Sequence, residues 1–252
     1  KIIRWCKRNI SLDRRADDIT PGRGLGNRLL SIAFARAITN VKSINWVKTE
    51  ECNADFYDLF SAPHLPIVTS DDLLLYAYQD MIGNKSIKKQ MHSIIAQAFY
   101  QKIRIKNLTH FYTCLRPSTS VASRIIEIPN NTLGIHLRFT DHLQHISEID
   151  FEKSLLKHID KINPDYIYIC SDTLYKKKYF IKMLKDYNLL FTTLNLTNII
   201  KEEVYSPERN HLNGMRSATA ELFTLSKCRW ILPNSISTFS LTSFFMGDSM
   251  LL

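Results

Sequence analysis

The sequence contains no apolar run approaching the roughly 20 residues that a membrane-spanning helix requires. Its first residues lack the apolar core of a secretory signal peptide. With 45% hydrophobic and 23% charged residues, the composition is typical of a globular chain and argues against a disordered one. The chain begins at Lys1 and not at methionine, so trimming that removed a terminal anchor is compatible with the sequence.

Cysteine is scarce and shows no pairing pattern. The five cysteines are odd in number and widely separated, and no CxxC or Cys/His cluster has zinc-ligand spacing. Cys170 and Cys228 lie in or beside apolar, strand-like runs, where free buried thiols are common. We therefore expect no metal site and a reducing compartment, which favours a cytoplasmic location, with peripheral membrane contact left open.

The net charge of +9 favours anionic partners, but it does not choose among nucleic acid, anionic lipid and nucleotide phosphates. The basic residues are dispersed, and we interpret the tightest run, Lys176–Lys178, as the solvated start of a helix. Residues 85–105 predict a basic amphipathic helix, the one modest concentration of charge. We therefore predict no nucleic-acid partner. A non-enzymatic protein that binds an anionic polymer or a membrane surface remains an alternative.

Short apolar runs alternate with helical patterns in the second half of the chain. The predicted strands are Thr132–Leu137, Tyr166–Cys170, Leu189–Thr193 and Trp230–Leu232, and the predicted helices cover residues 149–161, 174–187, 215–227 and a segment from about 238. This alternation is typical of βαβ units in a parallel sheet. Ligands of such sheets bind beyond the carboxyl ends of the strands.

The first half is less regular. A possible strand, Lys1–Cys6, is followed by a glycine-rich turn, Gly22–Asn27, a helical pattern and a second strand, Ile44–Val47. The break between the halves is predicted near 116–129. We therefore predict an α/β protein with two lobes, residues 1–125 and 126–252.

Polar side chains follow the ends of the predicted strands. By the period of two, His136 and Arg138 project to one side, and an imidazole beside a guanidinium can grip a diphosphate. An ion pair between Arg138 and Asp141 is the alternative interpretation. After the next strand, Asp172 is predicted either as a helix cap or as a ligand contact.

Two further candidates lie near the strand Trp230–Leu232. Glu221 falls within a helical apolar pattern, where a carboxylate needs a partner, although a surface position is the alternative. Beyond the strand, hydroxyls and backbone N–H groups at a helix start predict an anion site. Its residues are Ser237, Thr238, Phe239 and Ser240. The turn Gly22–Asn27 is expected to let the backbone approach a ligand between the lobes.

Taken in order, these segments resemble the fucosyltransferase superfamily that includes protein O-fucosyltransferases and α1,6-fucosyltransferases. The matching segments are Gly22–Asn27, His136-Leu137-Arg138, Glu221 before Leu225-Ser226, and Ser237-Thr238-Phe239-Ser240. Trp46 and Glu51–Phe60 are similar to segments of small bacterial and viral relatives. Two positions depart from the family pattern: Phe139 stands where many relatives have a second arginine, and Glu221 where the usual residue is aspartate.

The resemblance implies a GT-B architecture, in which two Rossmann-like lobes with mostly parallel sheets face a cleft, and a reaction that needs no metal. It implies that Arg138 neutralises the β-phosphate, that Ser237, Thr238 and Ser240 hold the diphosphate, and that His136 lies near the nucleotide. Glu221 would bind guanine, whose N1–H and exocyclic amine suit a carboxylate. Arg23, Gly24, Gly26 and Asn27 would lie near the sugar or the acceptor.

The implied function is an inverting glycosyltransferase that moves L-fucose from GDP-fucose onto the hydroxyl of a glycan or a lipid-linked oligosaccharide. Asp141 and Glu148, which both follow the Arg138 strand, are the candidates for a base that takes the acceptor proton. No cofactor is expected beyond the nucleotide-sugar donor. The close alternative keeps the fold and uses another donor, such as UDP- or GDP-linked xylose or a hexose.

Overall fold

A computed structural model describes residues 18–19, 24–38, 43–61, 67–70, 106–139, 147–185, 190–192, 211–235 and 237–252. Arg23, Asp141, the segment Lys1–Cys6 and the predicted helix 85–105 lie outside these ranges. Within them, no helix is both long enough and apolar enough to cross a membrane.

The first half contains four strands and three helices among the described residues. In chain order the elements are β1 (Asp18–Ile19), α1 (Leu25–Ile38), β2 (Ser43–Val47), α2 (Phe56–Leu59), β3 (Phe60–Ser61), β4 (Ile67–Ser70) and α3 (Lys106–Cys114). Strands β1, β2 and β4 form a parallel sheet in that order. A short connection follows, with β5 (Arg116–Pro117) paired antiparallel to β3, and α4 (Thr119–Ala122).

The second half is a doubly wound parallel sheet. Its elements are β6 (Thr132–Leu137), α5 (Glu148–Ile162), β7 (Tyr166–Ser171), α6 (Leu174–Lys185), β8 (Leu190–Thr192), α7 (Leu212–Ser226), β9 (Trp230–Pro233), α8 (Thr238–Met246) and β10 (Met250–Leu251). The strand order is β10-β9-β6-β7-β8, and every pair is parallel. The four predicted strands are confirmed within one residue at each end.

Alternation along β6 and β7 gives this sheet two different faces. Leu133, Ile135 and Leu137 belong to the cluster that α5 and α6 cover. The opposite face meets α7, and there Gly134 permits a close approach, because a Cβ at this position would lie 2.5 Å from Leu225 Cδ1. Both faces of the sheet are buried, as expected for parallel strands that read as continuous apolar runs.

The two halves share one hydrophobic cluster. It includes Leu29 of α1, Phe56 of α2 and Tyr112 of α3, together with Leu222 of α7 and Phe245 of α8. Helix α8 packs against α1 and α3, while α7 packs against α2 and α4. The predicted break at 116–129 therefore contains β5 and α4, which the sequence analysis missed, and it is packed into the molecule.

Candidate functional site

Three neighbouring strands bring their polar residues to one edge of the second sheet. His136 of β6 lies opposite Cys170 of β7 and Pro233 of β9 in the strand register. Beyond this row the chain continues into Arg138, Asp172 and Asn234. The carboxyl ends of parallel strands meet at one edge, where ligands of such sheets bind, and the structure thus brings the predicted polar segments together.

Asn234 fixes the backbone of the predicted phosphate-binding arginine. Its side-chain Oδ1 accepts a hydrogen bond from the Arg138 N–H at 2.8 Å, and its Nδ2 donates to the Arg138 carbonyl at 3.1 Å. Arg138 itself is half-buried. Asn234 is not among the site residues predicted from the sequence, although its amide follows β9 as directly as Arg138 follows β6.

Asp172 holds the residue that follows Arg138. Both of its carboxylate oxygens accept the Phe139 N–H, at 2.9 and 3.2 Å, and the Thr173 hydroxyl donates to Oδ1 at 3.1 Å. Helix α6 begins two residues later, at Leu174. In the structure, Asp172 therefore supports the segment 138–139, and its predicted contact with a ligand stays a prediction.

His136 is buried and contacts the first turn of α8. Its Nδ1 lies 2.6 Å from Ser240 Oγ, and its ring stacks on Phe239 with centroids 4.9 Å apart. Burial lowers the pKa of His136 to about 4, with the Asp172 carboxylate acting to raise it and the Arg138 guanidinium to lower it further. The ring is therefore neutral at physiological pH, and it joins β6 to α8.

The hydroxyls predicted to hold a diphosphate differ in their surroundings. Ser237 is the N-cap of α8, and its Oγ accepts the Phe239 N–H at 3.2 Å. Ser240 bonds His136, and both serines are fully buried, whereas Thr238 is half-buried. Capping and the contact with His136 explain two of these hydroxyls, and the partly exposed residues of the turn are Thr238 and Phe239.

The glycine-rich turn of the first half abuts this same segment. A Cβ on Gly26 would lie 2.7 Å from Phe239 N and 2.9 Å from the Thr238 carbonyl carbon. Gly26 is the second residue of α1 and Phe239 the second of α8, so two helix N-termini meet here. Each contributes a partial positive charge. Gly24 and Asn27 lie on either side of Gly26, and both are partly exposed.

Glu221 is buried and forms an ion pair with Lys177, a residue predicted from the sequence to be solvated. Its Oε1 lies 3.2 Å from Lys177 Nζ, and the Lys177 side chain is 0% exposed. The interpretation of Lys176–Lys178 as a solvated helix start is therefore wrong for Lys177. The sequence did contain a signal that Lys177 is buried. Lys177 stands three and seven residues before Phe180 and Leu184 in α6, which is the spacing of one helix face, and all three are buried.

Glu148, one of the two candidates for the base, starts α5 and pairs with Lys176. The Lys176 ammonium also lies 5.2 Å from the centroid of the Phe139 ring. As a base, Glu148 would have to accept a proton while engaged by that ammonium. Its role stays a prediction. Among the described residues, no group of three or more His, Cys, Asp and Glu side chains could hold a metal ion.

No protein-family model matches the chain, and no curated protein matches it by sequence. Solved structures do match. The NodZ α-1,6-fucosyltransferase co-crystallised with GDP is 12% identical, with 91% of each chain covered and a TM-score of 0.57. Fucosyltransferase NodZ from Bradyrhizobium is 13% identical, with 91% of this chain and 92% of that chain covered and a TM-score of 0.56.

A third match is POFUT1 in complex with GDP-fucose. It is 12% identical, 92% of this chain and 95% of that chain are covered, and the TM-score is 0.51. These similarities extend over nearly the whole chain. They show a fucosyltransferase-like GT-B fold, as the ordered motifs of the sequence predicted.

Proposed function

We propose that this chain is an inverting, metal-independent glycosyltransferase that transfers a sugar, preferentially L-fucose from GDP-fucose, onto a glycan hydroxyl. One observation carries the proposal: His136 contacts Ser240, and Gly26 packs against Phe239. Segments from both halves therefore meet beside Arg138. The fold supports it, because the similar NodZ and POFUT1 structures were obtained with GDP or GDP-fucose.

The difficult step is departure of the nucleoside diphosphate from a sugar carbon that becomes positively charged. The Arg138 guanidinium neutralises the charge that develops on the β-phosphate. The N-termini of α1 and α8 add fixed positive potential without reorganisation. Asn234 and Asp172 hold the backbone on either side of the arginine side chain, which limits the positions that the guanidinium can take.

Guanine is the proposed base, because Glu221 can accept both its N1–H and its exocyclic amine, while uracil offers a single N–H. The acceptor hydroxyl loses its proton during transfer. Glu148 and Asp141 remain the proposed bases, the first being engaged by Lys176. A glycan or lipid-linked oligosaccharide is the proposed acceptor.

Replacing Arg138 by alanine is expected to lower donor hydrolysis about 10²–10³-fold, as removal of one donor to a developing anion does elsewhere. The measurement is release of GDP from GDP-fucose by the purified chain. Arg229→Ala is the matched control, because Arg229 is exposed at the opposite end of the sheet, beside Trp230. Full activity in Arg138→Ala would refute the proposed role of the guanidinium.

The identity of the donor is tested with a panel of nucleotide sugars and with calorimetric comparison of GDP and UDP. We expect tighter binding of GDP and the fastest hydrolysis with GDP-fucose. Tighter binding of UDP would instead support the alternative donor class, UDP-linked xylose or a hexose, and would remove the proposed role of Glu221.

A further inference from the structure

Lys177 is a buried lysine that has no part in the proposed transfer reaction. Its side chain is 0% exposed, and its ammonium lies 3.2 Å from Glu221 Oε1, which belongs to a carboxylate whose side chain is 8% exposed. Burying either charge alone is strongly unfavourable, and a buried pair seldom gains stability over apolar residues of the same volume. A contribution to folding therefore explains this pair poorly.

The pair lies close to the cluster around His136. Both charges act on the thiol of Cys170, and Cys170 is the strand partner of His136, one strand spacing of about 4.8 Å away. The residue after Glu221 is tied to α8, because the Ser243 hydroxyl donates to the Leu222 carbonyl at 3.1 Å. The helical turn that carries Glu221 is thus tied to α8, and the carboxylate lies near enough to Cys170 of β7 to act on its thiol; both elements belong to the proposed donor site.

We propose that Lys177 is a positioning residue that orients the Glu221 carboxylate for the guanine base. This inference rests on the proposed use of a GDP-linked donor. An ionised carboxylate offers about four lone-pair sites. The ammonium lies against Oε1, and the proposed contacts with the N1–H and the exocyclic amine of guanine need two of these sites.

Loss of the lysine changes the orientation of its partner. Lys177→Met removes the ion pair that fixes Glu221 Oε1, so the carboxylate can take other orientations. A carboxylate that has turned aside no longer presents its oxygens to both the N1–H and the exocyclic amine of guanine. The ammonium therefore governs which base the site prefers, while the phosphate and sugar contacts stay as they are.

Calorimetry with three nucleotides tests this directly. GDP, inosine diphosphate and UDP are titrated into the wild-type chain, into Lys177→Met and into the control Lys178→Met, whose lysine is exposed on the same helix. Inosine diphosphate keeps N1–H and lacks the exocyclic amine. For Lys177→Met we expect GDP affinity to fall about 10- to 100-fold, as for lost hydrogen bonds to a charged group. The preference for GDP over inosine diphosphate should shrink towards one, and Lys178→Met should match the wild type.

Kinetics separate positioning from a structural defect. In Lys177→Met the KM for the donor should rise while kcat stays within about twofold, because base recognition is uniform binding. If Lys177→Met does not fold, the double variant Lys177→Met/Glu221→Gln removes both buried charges. We expect it to fold and to bind GDP and inosine diphosphate equally.

The negative results of these experiments distinguish the proposed function from the role of Lys177. A wild-type chain that binds no nucleoside diphosphate overturns the proposed function. A wild-type chain that prefers GDP, with Lys177→Met or the double variant keeping that preference, overturns the role of Lys177 alone.

Discussion

The His136 ring contacts two residues of α8. Nδ1 meets the Ser240 hydroxyl, and one ring face covers Phe239. A residue predicted to lie beside the nucleotide thus holds the first turn of α8 against β6. A substitution at His136 would therefore displace that turn, which also carries the partly exposed Thr238; the predicted contact of His136 with the nucleotide stays a prediction.

Acid is expected to destabilise the fold through this histidine. The pKa of His136 is about 4 in the folded chain and ordinarily 6.5, so between these values the unfolded chain binds the extra proton. Stability that is complete above pH 6.5 is therefore lost as the pH falls towards 4, by up to roughly 3 kcal/mol. Urea unfolding at a series of pH values measures this loss.

His136→Gln supplies the comparison, since glutamine can still bond Ser240 and does not titrate. Its stability should change less between pH 6.5 and 4 than that of the wild type. His110→Gln, at an exposed position of α3, should keep the wild-type slope. If the free energy of unfolding of the wild type and of His136→Gln changed equally with pH, the acid sensitivity could not be assigned to His136.

Single residues were hard to assign from the sequence when their partners lay far along the chain. Ser240 and its partner His136 are 104 positions apart, and Lys177 and Glu221 are 44 apart. Type and spacing indicated that Ser240 and Glu221 needed partners. Which atoms would satisfy them depends on how α6, α7 and α8 pack, and a one-dimensional pattern does not contain that information.

Secondary structure followed the sequence wherever burial imposed a long, uniform pattern. Strands β6, β7 and β9 are continuous apolar runs because both faces of their sheet are covered, and their helices show clear apolar stripes. The pairs β3–β5 and β9–β10 were missed. Their shared segments are two residues long, too short for a period to appear, and they form because neighbouring elements bring the backbones together.

The contact between α1 and α8 predicts different outcomes for alanine substitution at two nearby glycines. In Gly26→Ala the new methyl would meet the backbone of Phe239, which cannot rotate away, so the two helices must separate. We expect a loss of about 1–3 kcal/mol of stability, typical of overpacking, together with weaker donor binding. In Gly24→Ala the nearest atom, the Glu51 carbonyl oxygen, lies 3.9 Å away.

Thermal unfolding and GDP titration of both variants measure the difference. Gly24→Ala should resemble the wild type in each. Equal effects of the two substitutions would mean that the contact with Phe239 is unimportant for the junction.

The shared hydrophobic cluster makes the two halves dependent on each other. Residues of α1, α2 and α3 pack in one core with residues of α7, α8 and β7. The halves are also joined by polar links, among them the Arg216–Asp58 ion pair and the hydrogen bonds from Arg124 to Asn213 and Ser217. The ion pair is 3.1 Å long and partly exposed, and such a pair adds at most about 1 kcal/mol. Apolar burial is therefore the main connection between the predicted lobes.

Unfolding of the whole chain is consequently expected to be a single transition. Trp46 is buried in the first half and Trp230 in the second. Replacing Trp5 and Trp230 by phenylalanine leaves Trp46 as the sole fluorescent reporter of the first half. Its urea midpoint should coincide with that of far-UV circular dichroism, which follows both halves. Two separate midpoints would show that the lobes unfold independently.

Because two helix N-termini meet at Gly26 and Phe239, the resistance of the chain to unfolding should depend on the concentration of its ligand. An anion held at this seam touches both halves and binds only while they are joined. At a ligand concentration of 100 times Kd, mass action then adds about 2.7 kcal/mol against unfolding. Such a chain would resist heat and proteolysis according to how well its pocket is filled, and substrate starvation would expose it to degradation.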